Sequence, residues 1–142
     1  MVSCPGELLV LQFLAAIVLI AHGIGHSIGF LGPWFGVYAG TTEKPWILPG
    51  ARPFNGTAGK TWGALWLGAL MLFVVSGVGV FMDETWWRTP AIVGSLVSIV
   101  ATVPWWNTVL PGAKAGVALD VAILLVLLLP FGEDVTEFFE AP

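Results

Sequence analysis

Four apolar runs dominate the chain, at about residues 7–31, 58–82, 90–110 and 113–129. Each is roughly 17–25 residues long, the length an α-helix needs to span a ~30 Å hydrocarbon core. A barrel strand needs only ~9–11 residues of alternating polarity, and backbone in lipid must satisfy its own hydrogen bonds, so helices are the expected elements. Pro5-Gly6 precedes the first run and Gly32-Pro33 is expected to end it. Pro90 suits the first turn of the third run, whereas Pro104 should kink it or end its regular part.

Composition agrees. Of 142 residues, 57% are hydrophobic and 10% charged, against about 25% charged in a soluble domain. The expected fold is therefore an all-α, integral membrane four-helix bundle forming a single domain, 1–142. An aromatic- and proline-rich interfacial loop, with Trp34, Phe35, Trp46 and Phe54 between four prolines, joins helices 1 and 2. Trp62, Trp66, Trp86, Trp87, Trp105 and Trp106 are expected mainly at the aromatic belts. The acidic tail, residues 133–142, is expected as a short interfacial or frayed helix. The first run has no basic leader and exceeds a ~7–15-residue signal core, so it is expected to be a retained helix.

Five scattered basic residues and a net charge of −4 offer no phosphate-binding patch, which excludes a nucleic-acid partner. Cys4 is the only cysteine, so no internal disulfide or CxxC site can form. With four crossings, Lys44, Arg52, Lys60 and Lys114 share one side, and Arg88 lies on the other with both termini. The positive-inside rule then predicts a multi-pass cell-membrane protein with both termini extracytoplasmic.

The chemistry concentrates in His22-Gly23-Ile24-Gly25-His26-Ser27-Ile28-Gly29. At 100° per residue His22, Gly25, His26 and Gly29 share about a third of the helix surface, and Gly25 and Gly29 form a small-xxx-small packing pair. Asp120 is the one acidic residue well inside an apolar run, with Gly116 one turn before it opening room beside it. Helix one ends where helix four begins, so His26 and Asp120 both sit about 7–10 Å below the same boundary, with Asn107 at a similar depth. An Asp there costs at least ~2.5–3.5 kcal/mol unless partnered, and an imidazole is the natural partner. Three roles stay open for His22, His26 and Asp120: a structural polar pair; a metal site, or a haem site to which two histidines on one helix suit poorly; and a proton-relay or ligand pocket including Asn107, to which Trp62, Trp66, Trp105 and Trp106 could contribute walls. Ser76, Gly77, Gly79, Gly94, Ser95 and Ser98 are expected to serve close helix packing, their hydroxyls bonding their own helices. Asp83, Glu84 and Arg88 are expected in a solvated loop.

The run His22-Gly23-Ile24-Gly25-His26 followed by Gly29-Phe30, together with Gly63-Ala64-Leu65-Trp66-Leu67 and Trp86-Trp87, resembles small four-helix bacterial membrane proteins that are similar in topology to DoxX-like proteins. The resemblance implies the four-helix membrane fold and supplies no reaction. The function expected is a small membrane subunit or accessory protein whose His/His/Asp pocket binds a partner subunit or a metal, quinone-like or lipid-like ligand. The alternatives are an oxidoreductase component with a His-ligated metal or haem, and an oligomeric channel or carrier using the site as a relay. Expected partners are the lipid bilayer and other membrane subunits or further copies of the chain.

Overall fold

The computed structural model describes residues 5–37, 56–105 and 112–129. Asn107, Trp106, Cys4, most of the loop between the first two apolar runs and the acidic tail lie outside the described residues. Within them the chain is all-helical, without a strand: α1 Pro5–Gly25, α2 Ser27–Phe35, α3 Thr57–Phe81, α4 Arg88–Thr102 and α5 Gly112–Leu128, with 3₁₀ turns at Thr85–Trp87 and Val103–Trp105. Leu9–Phe35, Thr57–Phe81 and Thr85–Trp105 are each long and apolar enough to cross a membrane. Helix α5 has 17 residues, about 25 Å of length.

The first apolar run does not end at Gly32-Pro33, as its sequence suggested. Pro33 lies inside α2, which continues to Phe35. The steric conflict that usually ends a helix before proline involves the preceding residue's Cβ, and here that residue is glycine. The end comes at Gly36, whose left-handed φ of 72° lets its amide and that of Val37 return to the carbonyls of Gly32 and Leu31. The break instead falls at His26, between Gly23 and Gly25 and the next helix. There the His26 amide bonds the Gly23 carbonyl at 3.0 Å and the Gly29 amide bonds that of His26 at 3.1 Å. Pro104 behaves as expected: α4 stops at Thr102 and tightens into the 3₁₀ turn that contains it.

Successive rods run antiparallel. Near the start of α1, the Gln12 amide donates to the Val80 carbonyl at 2.8 Å and to Asp83, at the end of α3. Arg88 at the start of α4 donates to the Leu127 carbonyl at the end of α5, 2.5 Å away. Arg88 is thus tied to a helix C-terminus, where a cation is favourable, instead of lying in a solvated loop. Helix α3 packs against α1, α2 and α4, whereas α5 packs mainly on α4 and makes little backbone contact with α1.

The bundle interior combines small and hydroxyl-bearing residues, Ala69, Ala91, Ala101, Ser76, Ser95 and Ser98, with the large aromatics Trp66, Phe73, Trp87 and Trp105. Its exterior carries the large apolar side chains, including Leu9, Phe13, Ile17, Val100, Leu125 and Leu128, each about half exposed. Ser95 bonds the Ala91 carbonyl of its own helix, as expected, but Ser76 reaches the Trp87 carbonyl beyond α3. Trp66, Trp87 and Trp105 are buried at 5% exposure or less, so they belong to the core and not to an external belt; Trp34 and Trp86 are exposed.

Close approach of α1 and α3 needs Gly77. A Cβ there would lie 2.8 Å from the Ala16 carbonyl oxygen and 2.6 Å from Ile20 Cγ1. Backbone cannot yield as a side-chain tip can, so Gly77→Ala should cost about 1–3 kcal/mol in detergent unfolding. Gly68→Ala, where a Cβ meets nothing within 4 Å, should be neutral or gain up to about 1 kcal/mol from helix propensity.

Candidate functional site: a closed polar network beside a cavity

Histidines one turn apart on a regular helix would both lean along the helix axis. The break at His26 changes this. Its amide has moved to Gly23, which releases the His22 carbonyl, and His26 Nδ1 takes that carbonyl at 2.9 Å. His26 Nε2 then reaches Ser98 Oγ on α4 at 2.6 Å. Ser98 donates to Asp120 Oδ2 on α5 at 2.5 Å, and Asp120 Oδ1 lies 2.7 Å from His22 Nε2. The hydrogen bonds close a ring: His22 carbonyl, His26, Ser98, Asp120, His22 imidazole.

Burial makes this ring consequential. Asp120 is 0% exposed and Ser98 1%, so neither can trade a lost partner for water. Phe73 of α3, also fully buried, supports both imidazoles, with ring centroids 4.6 Å from His22 and 5.7 Å from His26; the two imidazoles meet edge to face at 4.8 Å. His22–Asp120 spans α1 and α5, which scarcely touch otherwise.

The space between those helices is a cavity of about 150 Å³, lined by both histidines, Gly25, Gly29, Trp66, Thr102 and Gly116, among others. Ser98 and Asp120 stand behind the histidines and do not line it. Its lining comes from the end of α1, the first turn of α2, the third turn of α3, the end of α4 and the start of α5. Asp120 is eight residues into α5, about 12 Å from its start.

The structure thus brings His22, His26 and Asp120 together. Ligating atoms of the three lie within 4.8 Å of one another, compatible in span with a single metal ion. As placed, His22 Nε2 and His26 Nε2 face Asp120 and Ser98, so an ion on either of these nitrogens would displace its hydrogen bond. Of the glycines expected to pack helices, Gly29 does so: the Trp66 ring occupies the place its Cβ would take, 0.7 Å from Cε3. Gly25 and Gly116 border the cavity instead, with a Gly25 Cβ meeting nothing within 4 Å and a Gly116 Cβ 3.6 Å from His22 Cε1. Ser98 is a network member that the sequence pattern assigned to packing, and Phe73 was one apolar residue among many. A signal for Ser98 did exist: it lies on the small, hydroxyl-bearing face of α4 with Gly94 and Ser95, at a depth matching Asp120.

Comparison with protein-family models, curated proteins and solved structures finds no match to this chain. Its function has to be read from the atoms of the site.

Proposed function

We propose that the chain is a small integral membrane protein, a subunit or accessory protein, whose cavity beside His22 and His26 binds a quinone-like or lipid-like ligand from the bilayer. The observation that carries this is a cavity of about 150 Å³ bordered by both histidines of a closed polar ring. Space of that size takes a single substituted ring, since an engineered apolar cavity of ~150 Å³ binds benzene. It has no room for a tetrapyrrole. The walls are mainly apolar, and Thr102 and His22 Nδ1, the one imidazole nitrogen that the ring does not use, supply the few polar groups that would orient a hydroxyl head. An apolar tail would leave through the open side.

Membrane embedding is supported by three spans of sufficient length and by the large apolar side chains on the exterior. In this reading α5 is a fourth crossing, and both termini are extracytoplasmic. Reporter fusions at the C-terminus should then be active only in the extracytoplasmic form.

The test is equilibrium binding of a short-chain benzoquinone, and separately of a lysophospholipid, to detergent-purified protein. Saturable one-to-one binding of either is expected. Gly116→Leu, whose side chain would enter the cavity, should weaken it at least about tenfold, or 1.4 kcal/mol. Binding that is non-saturable, or unchanged in Gly116→Leu, would reject the pocket. Elemental analysis of the same preparation should show no stoichiometric transition metal; a full equivalent, lost on His22→Ala, would replace this reading with a metal site.

A further inference from the structure

Proton counting around the ring leads to an assignment that neither the cavity nor any ligand is needed for. A backbone carbonyl only accepts, so the contact from His26 Nδ1 to the His22 carbonyl requires a proton on Nδ1. Three contacts remain: His26 Nε2 with Ser98 Oγ, Ser98 Oγ with Asp120 Oδ2, and Asp120 Oδ1 with His22 Nε2. Each needs one proton, and the Ser98 hydroxyl has only one to give. If Ser98 donates to an ionised Asp120, its oxygen must accept from His26 Nε2–H. His26 then carries protons on both nitrogens and is an imidazolium. If His26 is neutral, Nε2 can only accept, so Ser98 donates to it and its oxygen must accept from a protonated Asp120. In both cases His22 Nε2–H donates to Asp120 Oδ1.

The two arrangements contain the same number of protons and, with His22 neutral, the same net charge of zero. We propose that Ser98 passes a proton between His26 and Asp120, so that the buried ring holds one mobile proton in two positions. In the forward direction the His26 Nε2–H bond breaks as a bond from that proton to Ser98 Oγ forms. Ser98's original O–H breaks in concert, and its proton bonds Asp120 Oδ2. Imidazolium and carboxylate become imidazole and carboxylic acid, and no electron changes hands. Heavy-atom distances of 2.6 and 2.5 Å leave a short path for each hop. Neither form buries a net charge, which is what low-dielectric surroundings penalise most. His22 is the other titratable group at the ring; Phe73 and Trp66 of α3 and Thr102 of α4 present no ionisable side chain there.

Since His26 and His22 line the cavity while Ser98 and Asp120 lie behind them, the ring joins two cavity-facing imidazoles through a hidden carboxylate. The assignment rests on the hydrogen bonds alone. An empty cavity would leave it standing, and its failure would leave ligand binding standing.

The experiment is nuclear magnetic resonance of ¹⁵N-histidine, ¹³C-aspartate protein in lipid nanodiscs, reading the His26 ring nitrogens and the Asp120 carboxyl carbon across the pH range in which the fold persists. The wild type should never show ionised Asp120 beside neutral His26, because that state lacks a proton for one of the three contacts. Asp120→Asn, whose amide can donate to Ser98 as a carboxylic acid does, should hold His26 neutral with its proton on Nδ1. Ser98→Ala should let the two groups ionise independently, and Ser98→Thr should restore their linkage. A wild-type population with neutral His26 and ionised Asp120 would overturn the proposal without any variant, as would unchanged linkage in a folded Ser98→Ala.

Discussion

Asp120→Ala is expected to lower unfolding stability in mixed micelles by about 3–5 kcal/mol, the cost of removing one partner from a buried, charge-assisted set. The carboxylate accepts from Ser98 and pairs with His22 from a position with no solvent exposure. Truncation leaves Ser98 with His26 alone and His22 Nε2 without this partner, and an orphaned buried polar group costs ~1–3 kcal/mol by itself. It also cuts the main link between α1 and α5. Asp120→Asn should behave differently: its carbonyl can accept from His22 and its NH₂ can donate to Ser98, so every contact persists. A loss within about 1 kcal/mol is expected, close to the ~0.6 kcal/mol average for interhelical hydrogen bonds in a membrane protein. Unfolding by denaturant in detergent, with the two variants side by side, reads the difference. Equal losses would mean that charge, and not hydrogen-bond completeness, holds the network.

Gly29→Ala is expected to be among the most disruptive single-methyl additions in the protein. The added carbon would fall 0.7 Å from Trp66 Cε3 and 1.7 Å from Cδ2. Most close contacts relax by a few tenths of an ångström at a side-chain tip. Here an entire indole, 3% exposed and packed with Ala101 and Trp105, must leave its seat. Overpacking of this kind costs about 1–3 kcal/mol or more. Because the ring and the glycine both line the cavity, ligand binding should fall with stability. Trp66→Leu removes the obstacle, so Gly29→Ala combined with Trp66→Leu should be less damaging than the two separate losses added together. A coupling energy of roughly 0.5–3 kcal/mol is expected for such direct neighbours. Strict additivity would show that the indole does not occupy this position.

The same pair of residues shows where sequence reasoning reaches. The apolar runs were legible because helix length against bilayer thickness is a local property of composition. That His22, His26 and Asp120 converge was legible too, because topology and a rise of ~1.5 Å per residue set their common depth. The break at His26 was not: it depends on which acceptor the His26 amide chooses, and that choice is stabilised by Ser98, 72 residues away. Pro33 reads as a terminator by propensity, but the relief supplied by Gly32 is a matter of backbone sterics. Trp66 and Trp105 resembled belt residues by type alone; their burial is decided by Gly29 and Ala101, residues with no side chain or a small one. Ser98 had the chemistry of a proton carrier but the company of packing residues, Gly94 and Ser95. Except at Pro33, what the sequence left open was a partner from a distant helix.

The contact between His22 Nε2 and Asp120 Oδ1 at 2.7 Å closes the ring and joins α1 to α5. Its direct test is a dipolar-recoupling measurement between ¹⁵N-labelled His22 Nε2 and the ¹³C-labelled Asp120 carboxyl in lipid bilayers. The account predicts strong dephasing from a directly hydrogen-bonded pair, absent in Asp120→Ala. No dephasing in the folded wild type would mean that α5 is not held against His22 and that the ring is not closed.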